Sequence, residues 1–151
     1  MNALIDPAKY ALADTEAAHQ TALFIWSATP EVRQKYPELR WLFAIPNGGF
    51  RDKITAARLK AQGVKPGVPD VCLPIRRGKW AGLWIEMKRP KTEKQQKGTV
   101  RVEQSIWLDF LATQGYGTAI CRGWDQARLM LINYLEYDKH EGMYATNEGW
   151  K

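Results

Sequence analysis

"VPDVCLPIRRGKWAGLWIEMKRP", residues 68–90, reads as two apolar strands, "DVCLPI" (70–75) and "AGLWIEMK" (81–88), folded back on each other through Arg77-Gly78-Lys79. A short glycine-bearing loop between two runs rich in Val, Ile, Leu and Trp is a hairpin signal. Charged side chains are costly to bury, yet Asp70, Glu86 and Lys88 stand within these strands. A hairpin that pivots on Gly78 sets Asp70 directly opposite Glu86, with Cβ atoms roughly 4.5–5.5 Å apart. Lys88 lies two residues beyond Glu86 and shares its face. A slip of one residue would part the two acids.

Like charges placed opposite each other destabilise a sheet, and two adjacent carboxylates resist ionising together. A divalent cation reverses both penalties. Oxygen ligands on one rigid face suit Mg²⁺ or Mn²⁺, which keep water in their remaining positions. A lysine beside them can position a water or stabilise charge on a reacting phosphate. Together they describe a site for metal-assisted phosphodiester hydrolysis. A carboxylate–lysine salt bridge near the end of the sheet, with the other acid solvated, is the second reading that types and spacing allow.

Outward from the hairpin, the chain reads as helix, strand, helix, hairpin, helix, strand, helix (the order α-β-α-β-β-α-β-α), a pattern that builds a mixed sheet flanked by helices. Asp6-Pro7 is an N-cap followed by proline at the first helical position. Asp14 is the expected cap of "TEAAHQTALFIWSAT", with Ala17, Phe24 and Ala28 at helical spacing. "PEVRQKYPELR" is a short helix or turn, and "WLFAI" (41–45) is a strand that stops at Pro46-Asn47-Gly48-Gly49. "RDKITAARLKAQG" is an exposed helix ended by Gly63. "VEQSIWLDFLATQG" (102–115) is a helix with Ile106, Trp107, Phe110 and Leu111 as its expected buried stripe. "YGTAICR" is a strand, and "DQARLMLINYLEY" is a last amphipathic helix with Asp125 as its expected cap. No internal repeat or linker divides the chain, so one domain over 1–151 is expected, with its core at about 14–136 and a loose or interface tail at 137–151.

The 151 residues carry a formal net charge of +6, with 45% hydrophobic and 25% charged residues. That suits a chain able to close a core, and the sign favours a polyanion, nucleic acid first. No apolar run approaches the roughly 18 residues that span a bilayer, and "MNALIDPAKY" has no basic start followed by an apolar core. Cys72 and Cys121 sit in strand-like stretches and read as buried free thiols; their spacing argues against zinc. A cytoplasmic protein with no membrane partner is expected.

Pro69-Asp70, a hairpin, then Glu86-Met87-Lys88 resembles the PD-(D/E)xK nuclease superfamily. The flanking stretches "IPNGGFR" (45–51), "LKAQGVKPGVPDVCL" (59–73), "WIEMKRP" (84–90), "EQSIWLDFLATQGY" (103–116) and "GTAIC" resemble the virus-type replication-repair nuclease (VRR-NUC) domain family, in the order the family has them, from about Glu16 to Leu135. The resemblance implies a restriction-endonuclease-like α/β core and Mg²⁺- or Mn²⁺-dependent cleavage of DNA. It implies Asp70, Glu86 and the Met87 backbone carbonyl as metal ligands, and Lys88 as the residue that orients or activates water. Glu16 matches the family's glutamate in the first long helix, touching the metal directly or through water; its other reading is a solvated early-helix acid. His19, on the same helix edge with Gln20, reads as structural or DNA-facing rather than as a ligand. Gln104 matches the family's glutamine and points inward, holding a metal-bound water or phosphate, or else capping its helix. The family's stand-alone, phage-type members imply a homodimer acting on branched DNA such as four-way (Holliday) junctions, in a bacterial or phage-infected cell.

The stretch between Lys88 and Gln104 is longer and more basic than the family's connection. Arg89, Lys91, Lys94, Lys97 and Arg101 leave the strand that carries Glu86, and are read as DNA contacts or as a solvated loop. Asn47, Gly48, Gly49 and Arg51 are read as a phosphate approach or a plain tight turn. Tyr134, Tyr137, Tyr144 and Trp150 are interface material or core. A non-catalytic DNA-binding module, or a nuclease acting on linear DNA or RNA, are the alternatives in function.

Overall fold

The computed structural model describes residues 6–47, 52–92 and 96–137. Helix α1 spans Pro7–Ala11, with the Asp6 carboxylate accepting the Ala8 N–H at 3.0 Å. Helix α2 spans Glu16–Ala28. Its cap is Thr15, not the expected Asp14: the Thr15 hydroxyl accepts the Ala18 N–H at 3.0 Å. Asp14 has a left-handed backbone, φ +50°, which cannot serve as an N-cap, and its carboxylate turns to His19 instead. The helix buries His19, Ala22, Leu23, Trp26 and Ser27. Ala17 and Ala28 are exposed and Phe24 is half-buried; apolar residues occur on nearly every side of this helix, so spacing alone did not choose its inner face.

Helix α3, Pro30–Lys35, runs into a 3-10 helix at Pro37–Trp41, and strand β1 is only Phe43–Ala44. Trp41 thus leaves the expected strand. Asp52 caps α4, Lys53–Ala61, through the Ile54 and Thr55 N–H groups. Strand β2 is Val71–Leu73 and β3 is Leu83–Lys88. The expected hairpin register holds: Val71, Cys72 and Leu73 face Ile85, Trp84 and Leu83. The turn that produces it is different. Arg77 and Trp80 exchange main-chain hydrogen bonds at 3.0 and 2.9 Å around Gly78-Lys79, with Gly78 at φ +52°. The first arm therefore has one residue more than the second between turn and ladder. Pro74, which has no N–H for the ladder, lies in that longer stretch.

Helix α5, Val102–Thr113, connects β3 to β4, Gly117–Arg122, and the two strands pair in parallel over their whole length, as a helical crossover requires. The sheet order is β1-β2-β3-β4, with β1/β2 and β2/β3 antiparallel. Leu83, Ile85 and Met87 join a core with Leu23 and Trp26 of α2 and with Ala127, Leu131 and Tyr134 of α6, Trp124–Glu136. Alternation sends Trp84, Glu86 and Lys88 to the other face, where α5 lies.

Two expectations about the helices fail. Of the stripe expected in α5 only Leu111 is buried: the inner face is Gln104, Leu108 and Leu111, while Ile106 is 62% and Phe110 52% exposed. Trp107 is half-buried and donates its indole N–H to the Pro66 carbonyl at 3.1 Å. Asp125 does not cap α6. Gly123 is the N-cap residue, without a side-chain bond, and Asp125 pairs with Arg128 at 2.6 Å. Tyr134 is fully buried and Tyr137 packs edge-on to Trp80, so both belong to the core; Tyr144 and Trp150 lie outside the described residues. Cys72 and Cys121 are buried free thiols, pushed up to about 12 by burial. Among the described residues, no helix is long and apolar enough to cross a membrane.

Candidate active site

Asp70 immediately precedes β2. Its main-chain carbonyl accepts the Ile45 N–H at 2.7 Å, and its carboxylate Oδ2 accepts the Met87 N–H at 2.8 Å. The Asp70 side chain thus takes over the ladder where β2 ends, at the place from which Glu86 projects. Glu86 Oε1 accepts from Lys88 Nζ at 3.0 Å and from Gln104 Nε2. Lys88 Nζ also lies 3.5 Å from Glu16 Oε1, in the first turn of α2. Asp70, Glu86, Lys88, Glu16 and Gln104 are therefore one cluster, assembled from the β2–β3 hairpin, α2 and α5. Gln104 points inward as expected and caps its helix, its Oε1 accepting the Arg101 N–H at 2.9 Å, while its amide makes a contact the sequence did not show, donating to Glu86.

Burial is the largest influence on both hairpin acids. It raises Glu86 to about 7, helped by the neighbouring Asp70 charge and opposed by Lys88. It also raises Asp70, opposed by the Met87 N–H and by Lys88. Two acids held above their ordinary range at the end of a rigid strand are a common mark of a functional site.

The donor set fits a hard dication. Glu86 Oε2 is fully buried and receives no hydrogen bond among the described residues, although buried carboxylate oxygens are normally satisfied. The main chain of Met87 faces β2, because its N–H bonds to Asp70. Continued register sets Pro69 opposite Met87, and proline has no N–H to give that carbonyl. Among the described residues no three His, Cys, Asp or Glu side chains are gathered tightly enough to hold an ion by themselves. An ion here would rest on Asp70, Glu86 and the Met87 carbonyl, with waters or phosphate oxygens completing its shell, as would suit Mg²⁺.

Two grooves meet at Glu16. One, about 900 Å³, runs from Asp70 and Glu16 along α2 past Phe24 and Ile25, with Ile45 and Pro46 on its other wall. The other, about 610 Å³, has Lys88, Arg89, Lys97, Gly98 and Arg101 around it. A profile of the VRR-NUC domain matches residues 14–125 of this sequence, spanning every residue of the cluster. The chain belongs to the VRR-NUC domain family. A solved structure described as a VRR_NUC domain protein has 29% sequence identity to it and a TM-score of 0.65, covering 81% of this chain and 88% of that one. A comparison with curated protein sequences finds no match. VRR-NUC membership carries a restriction-endonuclease-like fold and a nuclease-type, DNA-processing function.

In this VRR-NUC chain the remaining sequence-predicted residues that the structure describes take different positions. Arg89, Lys97 and Arg101 border the polar groove, and Lys91 is exposed. Asn47 is engaged in the fold, its amide donating to the Val68 carbonyl at 2.9 Å. Gly48, Gly49, Arg51 and Lys94 lie outside the described residues. His19 is buried and structural: its Nε2 meets Asp14 Oδ1 at 3.1 Å.

Sequence reading missed two residues. A Cβ on Gly98 would stand 3.1 Å from Glu16 Oε1 and 3.2 Å from the Arg89 nitrogen, so any side chain here must push its neighbours aside by a few tenths of an ångström, and glycine lets this backbone pass closely over the Glu16–Lys88 pair. Arg122 holds that backbone by bonding the Gly98 carbonyl. A lone glycine within a basic stretch was the signal available for Gly98; Arg122, at the end of a strand, gave none.

Proposed function

We propose that this chain is a divalent-metal-dependent endodeoxyribonuclease that hydrolyses phosphodiester bonds in branched DNA such as four-way junctions, and that it works as a homodimer. The observation that carries the reading is the buried, unpartnered Oε2 of Glu86, beside a second acid that is itself buried in part. Asp70, Glu86 and the Met87 carbonyl would hold Mg²⁺ or Mn²⁺, with Glu16 acting through water. A bound dication supplies Lewis-acid charge to the phosphate and lowers the pKa of water.

The chain's own residues do the rest. Lys88 presents its ammonium beside Glu86, where it orients the attacking water or takes up charge developing on the phosphate. Gln104 fixes the Glu86 carboxylate in one rotamer. Arg89, Lys91, Lys97 and Arg101 neutralise backbone phosphates without reading sequence. The groove along α2 has no Lys or Arg among its described residues. It suits unpaired bases and sugars rather than a phosphate track, which supports a preference for DNA with splayed strands. A two-fold dimer presents two such sites to the symmetry-related strands of a junction.

The test is a cleavage panel at fixed salt: linear duplex, flap, splayed arm, four-way junction and RNA, each with Mg²⁺, Mn²⁺ or chelator, with solution mass measured in parallel. Metal-dependent cutting fastest on the junction, by a dimer, is expected, and Asp70→Ala abolishes it while DNA binding persists. Salt-sensitive binding without turnover in any metal would mean a binding module. Faster cutting of linear DNA or RNA would replace the substrate assignment.

A further inference from the structure

Glu16 is 48% exposed at its side chain and is the first residue of α2, yet it has to meet the buried Lys88 ammonium. Something else must hold the start of α2 against the end of β3. The main chain after β4 provides one anchor: the Gly123 N–H donates to the Lys88 carbonyl at 2.9 Å. The next residue provides the second: the Trp124 N–H donates to His19 Nδ1 at 3.2 Å, joining α6 to α2 across 105 positions of sequence.

A ring nitrogen that accepts a main-chain N–H carries no proton, so the His19 proton is on Nε2. That nitrogen lies 3.1 Å from Asp14 Oδ1. Asp14 holds a left-handed backbone, φ +50°, which a non-glycine residue keeps only where surrounding contacts impose it. The bond to His19 is such a contact, and it fixes the corner that leads through Thr15 into Glu16. Together these bonds close a ring: Lys88 carbonyl, Gly123-Trp124, His19, the first turn of α2, Glu16, and back to Lys88 Nζ.

We infer that His19 is a positioning residue of the nuclease site: through Trp124 and Asp14 it sets the separation of Glu16 from Lys88. This rests on the proposed function. The Trp124 bond also explains why α6 needs no local side-chain cap, since His19 serves its first N–H from another helix.

The test is a double-mutant cycle of His19→Ala and Glu16→Gln, with His19→Asn as the conservative variant, because an asparagine Oδ1 stands close to where Nδ1 accepts. Folding is checked by circular dichroism and thermal melting. On the fastest substrate of the panel, His19→Ala lowers kcat roughly 10- to 100-fold, the range expected of misplacement, with DNA affinity in Ca²⁺ unchanged. Its further effect in the Glu16→Gln background is under about twofold. His19→Asn recovers most of the loss, and should His19→Ala not fold, Asp14→Gly, which tolerates the left-handed corner but removes the bond to His19, takes its place in the cycle. A readout free of turnover is the Lys88 ammonium resonance, assigned with Lys88→Arg: His19→Ala shifts it in the direction that Glu16→Gln does. An unmoved resonance, an unchanged kcat in folded protein, or losses that multiply in the double variant would each overturn the inference. If the wild type cuts nothing, the proposed function falls and the ring is judged by the resonance alone.

Discussion

Lys88 Nζ stands 3.0 Å from Glu86 Oε1, and the two side chains are 5% and 1% exposed. The single ammonium faces more than one carboxylate, and Glu86 stays raised, to about 7 from an ordinary 4.5. The metal-free fold therefore holds this proton more tightly than the unfolded chain does. Stability from that proton is complete below about pH 4.5 and is lost as pH rises to about 7, by an amount on the order of 3 kcal/mol. Urea denaturation in chelator between pH 5 and 8 should show the fall, and Glu86→Gln should flatten it. Mg²⁺ at pH 8 should restore stability by ligand linkage. A flat wild-type profile would contradict the shift.

Gln104 bonds Glu86 with one end of its amide and the Arg101 N–H with the other. Gln104→Leu should cost roughly 1–3 kcal/mol, because both partners lose a bond in a buried site, and should slow cleavage as well. Gln104→Glu keeps an acceptor for the cap while setting a third carboxylate beside Glu86. It should keep most of the stability of α5 and still lose activity. Chemical denaturation and single-turnover cleavage of both variants separate cap from site; equal losses in the two would merge them.

A side chain at Gly98 fits only if its neighbours give by a few tenths of an ångström. A Cβ there meets Glu16 Oε1, the Arg89 nitrogen and, at 3.4 Å, Lys88 Cδ. The Glu16 tip gives way most easily, while the Arg89 main chain needs a shift of only a few tenths of an ångström. Gly98→Ala should reduce turnover about tenfold through displacement of Glu16 while shifting the melting temperature little, and Gly98→Val should do more of both. Turnover of Gly98→Ala at the wild-type level would remove Gly98 from the site.

Lys97 and Arg101 border the polar groove beside Lys88. If each neutralises one phosphate, Lys97→Gln and Arg101→Gln should each lower the slope of log affinity against log salt by about 0.9. Fluorescence anisotropy in Ca²⁺, over a series of salt concentrations, measures this. An unchanged slope would assign these side chains to solvent.

Leu108 lies on the buried face of α5 and Ile106 on the exposed one. Leu108→Ala should destabilise by about 2–5 kcal/mol and Ile106→Ser by under about 0.5 kcal/mol. The reverse ranking in denaturant would restore the stripe expected from the sequence.

Sequence alone determined what short-range rules govern. Alternation along a strand, together with a tight turn, put Asp70, Glu86 and Lys88 on one face, and the cap at Asp6 and the stop at Gly63 follow from neighbouring residues. Even there the agreement is partly fortunate, since the turn is centred between Gly78 and Lys79 and an extra residue near Pro74 restores the register. Tertiary structure decided the rest. The inner faces of α2 and α5 were open because apolar residues occur on several sides of each, and only packing against the sheet selects one. The capping of α6 by His19, the turning of Asp14 away from its helix, and the passage of Gly98 over Glu16 join segments distant in the chain. No local pattern encodes such contacts, because the groups that satisfy each other become neighbours only once the sheet and helices have come together.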